Sequence, residues 1–162
     1  LDIALEDDLE TEFTLLFLNV ADDRVAELLR DPHILLALGD GGAHVDMMCD
    51  AGYCTYLLGK WVRDKKLMSL EHAVHRLTAQ PADLFGVKDR GRLVAGLAAD
   101  LVIFDPRTVG SPERPVRRHD LPGGGKRFVM PSSGIAWTIV NGEVTYAEGV
   151  MTGARAGRVL QS

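Results

Sequence analysis

The sequence has 162 residues, 46% of them hydrophobic, which is enough to bury one core and excludes a wholly disordered chain. Its formal net charge is −5, and its Arg and Lys are scattered except around residues 114–119 and 126–127, so no basic stripe argues for a nucleic-acid partner. No apolar run approaches the roughly 20 residues that a bilayer crossing needs, and the acidic opening lacks the basic n-region of a signal peptide, so the expectation is a soluble, cytoplasmic protein without a membrane partner.

The opening Leu1-Asp2-Ile3-Ala4-Leu5 reads as the middle of an element, which raises the expectation of a piece of a longer chain. Val25, Ala26, Leu28 and Leu29 recur at helical spacing, and Asp31-Pro32 ends that helix because proline removes a donor and restricts its predecessor. Ile34-Leu35-Leu36-Ala37-Leu38 is a continuous apolar run between Pro32 and Gly39, which predicts a strand buried on both faces, as in a parallel sheet. Cys49 and Cys54 have no second pair to complete a zinc cluster and read as reduced, partly buried thiols.

A helix is predicted over about 53–65, with Leu57, Leu58, Trp61 and Val62 on one side and Lys60, Arg63 and Asp64 on the other. Ser69, followed by Glu71, caps the next helix, whose apolar face is Leu70, Ala73, Val74 and Leu77. A short helix from about Pro81 to Phe85 stops at Gly86. Beyond Gly86 short apolar runs alternate with turn residues, so the second half is β-rich. Asn141-Gly142 between 137–140 and 143–146 predicts a hairpin with a type I′ turn, residues 112–125 read as a long loop, and the Gly- and Arg-rich tail after Gly149 is expected to run over the surface.

Leu38-Gly39-Asp40-Gly41-Gly42-Ala43-His44 places an acid and a histidine in a glycine-rich turn after the predicted buried strand, at the end where α/β barrels keep their active sites. On this motif alone, a structural role stands level with a catalytic one: Asp40 could cap the following segment while the glycines shape a tight turn.

The motif resembles the eighth-strand motif of the amidohydrolase superfamily, in its N-acyl-D-amino-acid deacylase (D-aminoacylase) branch. Downstream, Trp61-Val62-Arg63, Ser69-Leu70-Glu71-His72-Ala73-Val74, Leu77-Thr78-Ala79-Gln80-Pro81-Ala82, Asp89-Arg90-Gly91-Arg92-Leu93, Gly96 to Pro106 and Val140-Asn141-Gly142 follow in that family's order. Asp120-Leu121-Pro122 and the tail Thr152 to Leu160 favour the deacylase branch over its relatives. The resemblance implies an α/β fold: residues 1–86 as the last strand and helices of a metal-dependent (β/α)8 barrel, residues 87–162 as part of a small β-sandwich with its tail. It implies hydrolysis of the amide of an N-acyl-D-amino acid by a zinc-bound water. Asp40 matches the carboxylate that takes the proton from that water and passes it to the leaving amine, and in two-metal members this aspartate is also a metal ligand. Gly41 and His44 are the candidate substrate-binding residues.

The departures from the family are as informative. The superfamily's His-x-His pair is absent, so most zinc ligands are missing from this chain. His72 and His75 stand three apart on a predicted helix, and His33 and His119 read as surface residues. A closed barrel takes about 250 residues, so the chain is expected to be inactive alone and to associate with itself or with a companion N-terminal segment. Two other readings stand beside this one. The parent could open a cyclic amide, since the same aspartate would serve that chemistry, or the chain could be a non-catalytic interaction module.

Overall fold

The computed structural model describes residues 2–11, 18–37 and 44–160. The chain forms two compact units, residues 1–34 and 35–162. The first contains α1 (Asp2–Glu6) and α2 (Asp22–Arg30). Asp22 and Asp23 in the first turn of α2 and Arg30 in its last complement the helix dipole, and Leu29 is its buried residue. The helix stops where predicted: Asp31 is extended, and its carboxylate accepts the His33 backbone N–H at 2.8 Å.

The second unit begins with a departure from expectation. Residues 34–37 form no strand, and Leu38 lies outside the described residues. An apolar run becomes a strand only by pairing, and among the described residues no strand pairs with this one.

The helices follow their apolar spacing. α3 (Tyr53–Tyr56) continues without a break as a π-helix over Leu57–Asp64, in which the Lys65 N–H donates to the Lys60 carbonyl. Leu57, Leu58, Gly59 and Trp61 are buried along it, at about 2 kcal/mol for each large side chain removed from water. α4 (Leu70–Leu77) starts at Ser69, whose hydroxyl accepts the His72 backbone N–H at 3.2 Å. Thr78 breaks the helical path, and α5 (Ala79–Leu84) carries Pro81 in its first turn, where a missing N–H costs nothing. Gly86 then adopts φ +69, the left-handed conformation that ends helices. Ala73, Ala79 and Ala82 are buried, as is Arg76, at 2% exposure.

Two antiparallel sheets follow. β1 (Leu101–Phe104), β4 (Ile135–Val140), β5 (Glu143–Ala147) and β6 (Val150–Met151) form one, in the order β1-β4-β5-β6, while β2 (Val116–Arg118) and β3 (Arg127–Val129) form the other. Asn141 and Gly142 have φ +48 and +84, the two positive values a type I′ turn needs between β4 and β5. The region read as a long loop thus contains β2, a strand too short and too charged to stand out in sequence.

Helices and sheets meet at the turn over residues 105–111. Val109 is fully buried, Gly59 lies 3.0 Å from its carbonyl oxygen as measured from an ideal Cβ, and the Arg63 guanidinium donates to the same carbonyl. Thr55 and Ser111 hydroxyls share a 2.5 Å hydrogen bond, and Ser111 also donates to the Gly52 carbonyl. Among the described residues no helix is long and apolar enough to cross a membrane.

Candidate active site

Asp40 and Gly41 lie outside the described residues, so the structure begins its account of the motif at His44. His44 is exposed and takes φ +50, and its carbonyl accepts the backbone N–H groups of Met47 at 2.8 Å and Met48 at 3.0 Å. The main chain of His44 therefore closes a turn, leaving the imidazole at the surface.

The next residue ties this turn to the β-rich half. The Phe128 N–H donates to the Val45 carbonyl at 2.6 Å. Phe128 is the middle residue of β3, opposite Arg117 in the ladder with β2, so the bond to Val45 leaves from the strand edge that β2 does not occupy. Val45 follows Asp40 in the chain by five positions.

Around this junction the charges are arranged in pairs. Asp120 accepts two hydrogen bonds from the Arg127 guanidinium, at 2.6 and 2.8 Å, which hold its carboxyl below the usual carboxylate range. Beyond the turn, Tyr53 at the start of α3 is pushed up to about 12, first by its hydrogen bond with the Cys54 side chain and then by burial and the thiol's charge. Both cysteines are free and half-buried.

Of the other histidines, His33 contacts the Asp31 carboxylate at 3.0 Å at the surface, while His72, His75 and His119 are exposed. His75 lines an open groove of about 570 Å³ with Glu71, Val74, Arg92 and Leu93, on the solvent side of α4. Arg92 is engaged there by Asp83 at 2.6 Å. Among the described residues no three His, Cys, Asp or Glu come together where a metal could be held. Zinc takes three or four protein ligands, so the described part of the chain does not by itself fit the ion. Among the described residues the His72/His75 pair gains no third ligand.

The sequence reading missed the hairpin, although the basic residues flanking Asp120-Leu121-Pro122 and the glycines at 123–125 were its visible signal. The model of the amidohydrolase family matches residues 3–146, across both the motif and the sheets. The chain belongs to the amidohydrolase family. An N-acyl-D-glutamate deacylase of Alcaligenes xylosoxydans xylosoxydans is 38% identical to this amidohydrolase chain over 110 residues, covering 68% of this chain and 20% of the relative. A D-aminoacylase from the same organism is 40% identical over 107 residues, covering 64% and 19%. Among solved structures, a D-aminoacylase described as defining a novel subset of amidohydrolases superposes with a TM-score of 0.55 at 35% identity, over 68% of this chain and 21% of that one. The same likeness holds for a D-aminoacylase structure concerned with the role of its binuclear metal centre. This chain thus shares the mixed helix-and-sheet fold of D-aminoacylase over the matched region, and it spans about a fifth of the length of the curated relatives it matches.

Proposed function

We propose that this amidohydrolase chain is the C-terminal part of a metal-dependent deacylase that hydrolyses the amide bond of N-acyl-D-amino acids. The observation that carries the reading is the 38–40% identity to two deacylases of D-amino acids, together with a family match that spans the Gly39-Asp40-Gly41-Gly42-Ala43-His44 motif. In this reading residues 1–86 complete a barrel and residues 87–162 contribute to a β-sandwich. Asp40 accepts the proton of the attacking water and delivers it to the departing amine, which needs one carboxylate held in place through both steps. Gly41 and His44 border the substrate, and Asp40 is also the residue of this chain nearest to hand as a metal contact. The proposed metal is zinc, with its remaining ligands supplied from outside the described residues. The 162 residues alone are expected to lack turnover and to associate with one another or with a preceding segment.

The test is Asp40→Asn in the full-length protein. The neutral amide keeps the shape and loses the proton-accepting charge, so turnover of an N-acyl-D-amino acid should fall by several orders of magnitude while the circular dichroism spectrum changes little. Retained turnover would remove Asp40 from the chemistry and with it this account of the motif.

A further inference from the structure

The turn between β4 and β5 holds the one Asn-Gly pair of the chain, and the fold ties down the groups through which that pair would react. Asparagine is thermolabile, most of all before glycine, whose backbone nitrogen has no side chain beside it to hinder attack on the asparagine amide. Around Gly142 nothing stands within 4 Å of where a Cβ would be. Hydrogen bonds do the restraining instead. The Asn141 N–H donates to the Asp100 carboxylate at 2.7 Å and the Gly142 N–H to the Ala99 carbonyl at 3.0 Å. Asn141 Nδ2 donates to the Ala156 carbonyl at 2.6 Å, which carries the turn's grip across to the tail. Thr152 fixes the start of that tail on β5: its N–H donates to the Thr145 carbonyl at 3.0 Å and its hydroxyl to that of Val144 at 2.6 Å. Among the described residues the bond from Asn141 is the tail's one hydrogen bond beyond Ala154. Asn141 and Ala156 are half-buried, while Arg155 and Arg158 on either side of Ala156 are exposed.

We propose that Asn141 is a site of spontaneous deamidation which the folded turn restrains, and that its conversion to aspartate or isoaspartate releases the tail. The inference stands apart from the deacylase reading. In the reaction the Gly142 nitrogen forms a bond to Asn141 Cγ and gives up its proton to solvent, while the Cγ–Nδ2 bond breaks and ammonia leaves. Water then opens the cyclic imide at one carbonyl or the other, giving isoaspartate or aspartate. Before the first step the Gly142 N–H must leave Ala99 and Nδ2 must leave Ala156, so the reaction runs through locally opened forms and is slow while both bonds hold. Afterwards the closed form is disfavoured. An aspartate at 141 has no hydrogen to give the Ala156 carbonyl, which leaves two acceptors face to face. It also adds a negative charge to the residue whose N–H the Asp100 carboxylate holds, and Asp100 is already engaged by Arg90 at 2.5 Å. Exposed Arg155 offers the new carboxylate an ion pair, but such pairs contribute little at a surface. Isoaspartate lengthens the main chain, so a two-residue turn no longer matches the β4–β5 register.

The experiment ages the full-length protein in mildly alkaline buffer, folded and in urea, and follows the tryptic peptide Phe128–Arg155 by mass spectrometry. Asn141 is the one Asn or Gln in that peptide, so exchange of amide nitrogen for oxygen reports on it alone. We expect conversion to be at least roughly tenfold slower in the folded protein than in urea. Brief trypsin treatment of native samples then reads the tail through the cut after Arg155. That cut should be up to about tenfold faster in the N141D variant than in the parent, with cutting after Arg63 unchanged. In aged parent protein the peptide released first should be enriched in the converted form, a readout that needs no variant to fold. Equal conversion folded and in urea would overturn the restraint. An unchanged cut after Arg155 in N141D, faster cutting at every site alike, or no enrichment in the aged sample would overturn release of the tail.

Discussion

Tyr53 and Cys54 are neighbours in sequence at the start of α3, and the Cys54 side chain shifts the ionisation of Tyr53. The Tyr53 hydroxyl is pushed from its ordinary value of 10.0 to about 12, with the bond to Cys54 as the first cause. A raised folded-state value means that the native protein holds this proton more tightly than the unfolded chain does. Its contribution to stability is therefore fully present below pH 10 and is lost as pH rises through about 12. Cys54→Ala removes the partner, so Tyr53 should ionise closer to 10, and the stability lost in that alkaline window should diminish. Tyrosinate absorbance followed through a pH titration of both proteins checks this, and an unchanged titration would mean that burial, not Cys54, holds the proton. The same motif region marks how far single residues could be read in advance. Asp40 stood out because an acid among glycines after an apolar run is rare without a reason, while the role of Val45 as the anchor of a distant hairpin depends on a backbone bond that no side chain announces.

At the scale of elements, glycines with positive φ divide into two kinds. Gly142 in the β4–β5 turn has φ +84 and nothing within 4 Å of an added Cβ, so only backbone strain opposes a side chain there. Gly134, at φ +70 just before β4, is packed against the Val109 and Thr108 backbone, which an added Cβ would strike. Backbone cannot swing aside as a long side chain does. Gly134→Ala should therefore cost roughly 2–4 kcal/mol, against about 1 kcal/mol for Gly142→Ala, as read from urea denaturation midpoints. Similar costs at both sites would show that the contact with Val109 relaxes freely. Elements whose stability is local were legible from sequence: α4 from its Ser69 cap, the helix after Gly52 from Leu57, Leu58 and Trp61, and the β4–β5 hairpin from Asn141-Gly142. The π character of 57–64 left no trace, because the same apolar residues suit either helix. The strand predicted over 34–38 failed in residues 34–37 for the opposite reason: propensity nominates a strand, but partners make it, and those are not encoded in the run itself.

The larger sheet poses the question of what the second unit leaves uncovered. Its register aligns Ile103, Trp137, Ala147 and Val150 in one row across all four strands and Val102, Thr138, Tyr146 and Met151 in the next. Adjacent rows of an antiparallel sheet point to opposite faces, so apolar side chains project on both. Trp137 is 45% exposed and Val150 68% on one side, and Val102 is 53% and Met151 66% on the other. An antiparallel sheet is stable with one face in water when that face is polar, and neither face here is. We therefore expect the 162-residue chain to self-associate through this sheet as its concentration rises. Trp137→Gln removes the largest apolar group of one row without touching the ladder hydrogen bonds. Losing its burial is worth roughly 2 kcal/mol, so the dissociation constant measured by analytical ultracentrifugation should rise by about 30-fold. A chain that stays monomeric at all concentrations would sink the argument, because it would mean that these rows are already shielded by the chain itself. Association unchanged by Trp137→Gln would instead move the contact to the opposite face, where Val102 and Met151 lie.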